Sequence, residues 1–198
     1  MPSGLWSQGT VRAYTVGTQT SRGRKKTANW RKSTRQEKIR TMQGDPKLIQ
    51  SLNGILTYEL TSINQYFLHA RMFRHLGLEA LNGKSYSKSI EDMKQADRLI
   101  ERILFLQGLP NLQKLGKLSI GEHPEEMLRA DLGFAVAQLP LLRDGISLCE
   151  VQRDFVSRDL LEGILHYEEE HIEWIETQLS LIGSIGVQRY LQSQISSD

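Results

Sequence analysis

The sequence predicts an all-α protein: a four-helix bundle, with a long crossover between its second and third helices and a short fifth helix at its C-terminal end. Three observations carry this. Apolar residues recur at three- and four-residue steps along four long stretches, which is the period of an amphipathic helix. No segment shows the strict alternation of a half-buried strand. Residues 108–122 form a connection long enough to pass from one end of a bundle to the other, giving an up-down-down-up order.

Composition sets the outer limits. A chain of 198 residues with 39% hydrophobic content can bury one real core. The single cysteine, Cys149, precludes a disulfide within the chain and points to a reducing compartment, so a cytoplasmic protein is expected. No apolar run approaches the roughly 18 residues of a membrane helix, and no secretory apolar region opens the chain. The net charge of +2 hides a split. Residues 1–41 hold ten Lys/Arg and one acid, Glu37, whereas residues 42–198 hold fifteen Lys/Arg and twenty-two acids. The basic stretch has no apolar period and is expected to be disordered on its own. Three roles fit it: an arm for nucleic acid, with Trp6, Tyr14 and Trp30 as stacking groups; a transit peptide; or an extension before a native start at Met42. The last is favoured, because every patterned element follows Met42. The domain is therefore placed at 42–198.

The elements follow in order. Asp45 can cap a first helix with Pro46 in its opening turn, and the stripe Leu48, Leu52, Ile55, Ile63, Phe67, Ala70 carries it to about Arg74. A connection rich in Gly and Asn, with Gly83 near its middle, leads to a second helix over about 85–107. Gly108 and Pro110 stop it. A third helix spans about 122–149, with Pro140 in its interior as an expected kink. A fourth spans about 152–182 and is ended by Gly183 and Gly186, and Tyr190 and Leu191 anchor a short fifth helix over 187–195.

Several polar residues fall on stripes that should be buried. Glu59 does so on the first helix, Asp92 and Gln95 on the second, and Glu168 with His171 on the fourth. A carboxylate inside a bundle is costly unless it is paired or ligated. Di-iron carboxylate bundles bury such a set: one glutamate from each of two helices and Glu-x-x-His from each of the other two. Carboxylate and imidazole both suit iron. Here the first helix supplies Glu59 and the fourth supplies Glu168-x-x-His171, but the second reads Asp92-x-x-Gln95 and the third offers Ala135. Glu168-x-x-His171 alone could equally be an ion pair or a polar network. Glu169, Glu170 and Glu173 read as a solvated face. His69, His75, His123 and His166 lack partners at ligand spacing and read as surface or packing residues, and Cys149 reads as an inert buried thiol.

Residues 42–198 resemble bacterioferritin. The resemblance is carried by Leu52-Asn53, by the run from Glu59 to Met72 (Glu-Leu-Thr-Ser-Ile-Asn-Gln-Tyr-Phe-Leu-His-Ala-Arg-Met), and by Ala96-Asp97-Arg98. It continues through Glu101 to Leu112, Leu115-Gly116-Lys117-Leu118 and Ser157-Arg158-Asp159. It implies a ferritin-like fold and a hollow iron-storage shell of twenty-four subunits, with haem b held between paired subunits. By the same resemblance the family's iron ligands fall on Glu59, Asp92, Glu168 and His171, with a histidine replaced by Gln95 and a glutamate by Ala135. Tyr66 and Trp174, near the metal site in that family, are kept, while a tyrosine often found on the second helix is Leu99. Met93 falls on the haem-ligating methionine, with Leu60, Ile63, Asn64, Phe67 and Tyr86 as pocket wall; without the resemblance Met93 reads as core packing.

The expected function is therefore iron storage as a haem-binding shell subunit with a degenerate ferroxidase centre that holds iron weakly or as a single ion. Co-assembly with an intact ferroxidase subunit and a redox partner such as a ferredoxin follow from the same resemblance. Two alternatives stand beside this: an active ferroxidase using Asp92 and Gln95 as poor ligands, and a shell that binds nucleic acid through the basic arm, the lesser of the two.

Overall fold

A computed structural model describes residues 43–195. The basic stretch before Met42 lies outside the described residues, and so do the roles read into it. The described chain forms five helices: α1 Pro46–His75, α2 Glu79–Phe105, α3 Pro124–Gln152, α4 Phe155–Ile185 and α5 Val187–Gln194. It contains no strand. Helices α1 and α2 pack as one pair and α3 and α4 as another, with α1 bridging the pairs through α3.

The helix ends follow local chemistry. Asp45 accepts from the amides of Lys47 and Leu48, and Pro46 opens α1. The α1–α2 connection is shorter than expected. Gly77 takes a left-handed φ of 76°, which a side chain would resist, and the amide of Leu78 then bonds back to the carbonyl of Phe73 at 2.9 Å. This tight closure lets α2 begin at Glu79, so Gly83 is a helix residue and not the middle of a loop. A Cβ there would meet nothing within 4 Å. The propensity cost of about 1 kcal/mol at an open position is outweighed by the burial of Leu78 and Leu81 just before it. Gly183 likewise stays within α4, and the break falls at Gly186, where φ is 81°. Helix α3 begins at Pro124 and runs through Pro140 to Gln152.

Asp154 caps α4. Its carboxylate accepts from the amide of Ser157 at 3.0 Å and from Arg102 of α2 at 2.5 Å, tying the two pairs together at one end of the bundle. The Ser157 and Arg102 bonds outweigh burial and hold this carboxyl below its ordinary 3.8. A depressed folded pKa contributes stability above 3.8 that is lost as pH falls through the folded value. Asp154→Asn should therefore cost about 1 kcal/mol at neutral pH, a cost that shrinks as pH falls below 3.8 and through the folded value, as read by urea unfolding across pH.

Two apolar clusters form the core. One gathers Leu52, Ile55, Leu56, Leu99, Ile103, Leu142, Leu161 and Ile164; the other gathers Phe73, Leu81, Met127, Leu128, Ile175 and Tyr190. Between them α1 buries a set of polar side chains, Glu59, Thr61, Ser62, Gln65 and His69. Helix α3 is long and apolar enough by composition to cross a membrane, the one such helix among the described residues. Its stripe of Leu128, Ala135, Leu142 and Cys149 is buried within the bundle. Burial raises the Cys149 thiol to about 11, which agrees with an inert group.

Candidate metal centre

Glu59, Asp92 and Glu168 converge from α1, α2 and α4, all fully buried, with oxygen atoms within 4.8 Å of one another. Helical spacing puts them there: each falls on the same stripe as the apolar residues one turn away. Three buried carboxylates this close repel one another, so the question is what compensates them.

Lys88 of α2 does so. It is 1% exposed, one turn before Asp92, and its ammonium donates to Asp92 Oδ1 at 2.5 Å and to Glu168 Oε1 at 2.7 Å. Its Nζ also lies 5.2 Å from the ring centre of Tyr66 and 5.0 Å from that of Tyr167. Burial alone would lower the lysine's pKa, but the neighbouring Asp92 and Glu168 carboxylates outweigh it and drive it up. The lysine is therefore charged. Ser62 adds a hydrogen bond to Asp92 Oδ2 at 2.5 Å.

Glu59 is held differently. Gln138 of α3 donates to its Oε1 at 2.6 Å, while its Oε2 is buried without a partner. Burial, then Asp92 and Glu168, raise its pKa well above the ordinary carboxylate value. Burial also raises Asp92 and Glu168, against the pull of Lys88.

The other expected ligands do not join this cluster. His171 is buried beside it, packed edge-on to Tyr66 with ring centres 5.1 Å apart and stacked on Trp174 at 5.9 Å. Neither ring nitrogen has a hydrogen-bond partner. Burial, then the charges of Lys88 and Lys84, lower its pKa to about 2, so the ring is neutral. Gln95 is buried with its Oε1 unpaired, and Ala135 presents a methyl group at a buried position of α3. Gln138, further along α3, supplies the polar contact to Glu59 instead.

A second polar network lies next to this centre. Asp131 Oδ1 accepts from Gln65 Nε2 and meets His69 Nδ1, both at 2.8 Å. Gln65 and His69 pass the connection on: Gln65 Oε1 accepts from the amide of Ser119 at 2.9 Å, and His69 Nε2 from that of Gly121 at 3.3 Å. His69 is thus a packing residue with a buried partner. Asp131 was not visible in the sequence pattern as a partner, since it lies 62 residues away.

Met93 is not core: its side chain is 52% exposed on α2. Phe67 and Tyr86, also exposed, lie 6.3 Å apart by ring centres, with the Arg71 guanidinium over both. Leu60 and Ile63, two turns and one turn before Phe67 on α1, are half-buried. An exposed thioether on a face with aromatic groups fits a soft axial ligand to haem iron.

The donor set does not fit a pair of iron ions. A complete centre would bring four carboxylates and two imidazoles; this one has three carboxylates, one adjacent imidazole from His171, a glutamine, an alanine and an ammonium in contact with two of the three acids. A cation bound between Asp92 and Glu168 would have to displace Lys88.

Comparison with known proteins agrees with the architecture. The Ferritin family model, a ferritin-like domain, matches residues 49–185. The chain is 42% identical over 155 residues to a bacterioferritin of Mycobacterium leprae, spanning 78% of this chain and 98% of that relative. It is 43% identical over 154 residues to a bacterioferritin of Streptomyces coelicolor, with 78% and 92% covered, and 44% identical over 149 residues to one of Rhodobacter capsulatus, with 75% and 92% covered.

Proposed function

Since the chain belongs to the bacterioferritin family, we propose that it is a shell subunit for iron storage that binds haem through Met93 and does not itself oxidise ferrous iron at a di-iron centre. The observation that carries this subunit type is the Lys88 ammonium seated between Asp92 and Glu168. In this reading Glu59, Asp92, Glu168 and His171 are what remains of the family's metal-binding set. Iron is cargo, stored in the cavity of an oligomeric shell. Its oxidation then depends on other subunits, which makes a mixed shell with an intact ferroxidase subunit the natural assembly.

Met93 would hold haem b at an interface between two copies, each supplying one thioether, with Phe67 and Tyr86 as neighbouring wall. Bound there, the haem supplies one-electron transfer toward stored iron, from a redox partner such as a ferredoxin. The exposure of Met93, Phe67 and Tyr86 together supports this, because a core methionine would be sealed.

The test uses the purified homomeric shell. Haem-supplemented expression should give a Soret band that Met93→Leu removes with shell assembly intact. Mixing with ferrous iron and oxygen in a stopped-flow instrument should show no fast phase. Rapid oxidation of two irons per subunit would overturn the assignment as a subunit without ferroxidase activity, and an unchanged Soret band in Met93→Leu would overturn the haem assignment.

A further inference from the structure

We infer that Lys88 is the resident cation of this centre: its ammonium takes the structural place of a metal ion, closing a latent three-carboxylate cation site that the same bundle would otherwise present. This deepens the functional reading above and rests on it. The argument is geometric. Lys88 Nζ contacts carboxylates from two helices, Asp92 at 2.5 Å on its own and Glu168 at 2.7 Å on α4, so one ammonium bridges elements as a shared metal would. Lys88 sits four residues before Asp92, so an α-helix points both side chains to the same face. Two aromatic faces, Tyr66 and Tyr167, lie 5.2 and 5.0 Å from its charge. The ammonium is compact and carries three donors, and two are spent on these acids.

The rest of the centre fits a single positive charge. Ser62 satisfies the second oxygen of Asp92, and Gln138 occupies one oxygen of Glu59. Glu59 Oε2 remains fully buried and unpartnered, on a carboxylate that has an oxygen within 4.8 Å of oxygens of both other acids. That oxygen, with Asp92 and Glu168, would form an all-oxygen site for a hard divalent cation once the ammonium is removed. The lysine is thus the difference between a permanently charge-compensated core and a metal-dependent one.

Cobalt(II) titration of the full-chain shell tests this, read by calorimetry and visible absorption. The wild-type shell and its Glu59→Gln variant should bind the same number of ions, because no ion enters the centre, and the wild-type unfolding midpoint should not change with chelator. Lys88→Ala should gain one cobalt per subunit, bound at least about tenfold tighter than any ion at that position in the wild type, and the gain should vanish in Lys88→Ala/Glu59→Gln. Cobalt should also raise the unfolding midpoint of Lys88→Ala but not that of the wild type. A wild-type cobalt equivalent that Glu59→Gln removes would overturn the inference, and this comparison stands even where Lys88→Ala fails to fold. Folded Lys88→Ala that gains no ion would overturn it too. The functional reading falls on a separate result, fast ferrous oxidation by the wild-type homomer.

Discussion

Replacing Lys88 by methionine should destabilise the folded subunit by about 3–5 kcal/mol, the largest single effect expected in the bundle. Methionine matches the lysine stem in length and apolar character, so little packing is lost. What is lost is the charge. Asp92 and Glu168 are 0% and 1% exposed, and each would be left buried without the cation it now contacts. Ser62 gives Asp92 one hydrogen bond, which compensates only part of that, and nothing else in the described residues donates to Glu168. The comparison that isolates the mechanism is the triple variant Lys88→Met/Asp92→Asn/Glu168→Gln. Taking away all three charges removes the desolvation cost together with the attraction, so it should recover most of the loss. Denaturant unfolding followed by circular dichroism, at one protein concentration, checks both variants. A loss below about 1 kcal/mol for Lys88→Met would mean that water or a bound cation already screens these acids.

The position of Lys88 was legible in the sequence in part. The steps that place Asp92, Gln95 and Leu99 on one stripe also place Lys88 there, four residues earlier, and a lysine in register with an inward aspartate is a signal of an internal pair. Acids and histidine are the residue types a metal needs, whereas a lysine is usually a solvated residue, so Lys88 carries no signal of a site by type. The long helices were legible because each carries a sustained apolar period. Their ends were less so. The opening of α2 at Glu79 depends on a left-handed turn at Gly77 and on the burial of Leu81, whereas Asn82 and Gly83 carry the composition of a loop. Gln138 and Asp131 lay beyond sequence reasoning for another reason. Their partners, Glu59, Gln65 and His69, come from α1 at separations of 62 to 79 residues, so only the packing of α3 on α1 brings them together.

Asp131→Ala should cost about 2–5 kcal/mol and release the crossover, whereas Asp131→Asn should cost much less. One oxygen, Asp131 Oδ1, meets both Gln65 Nε2 and His69 Nδ1 at 2.8 Å, and all three side chains are within 2% of full burial. Alanine strands two buried donors at once, each costing about 1–3 kcal/mol. Asparagine keeps an acceptor oxygen in the same place, so both contacts survive with a neutral partner. The consequence travels because Gln65 and His69 are themselves fixed by Asp131: their far ends accept from the amides of Ser119 and Gly121 in the segment between α2 and α3. That segment has few other anchors on α1, among them Gly116 N to Thr61 Oγ1 at 2.8 Å. Gly121 also passes so close to the backbone of Met127 that a Cβ would lie 2.3 Å from its nitrogen, so the segment tolerates little displacement. Hydrogen exchange read by mass spectrometry should therefore show Ser119 and Gly121 losing protection in Asp131→Ala ahead of global unfolding, with Asp131→Asn close to wild type. Equal losses in the two variants would show that the carboxylate charge, and not its acceptor geometry, holds the network.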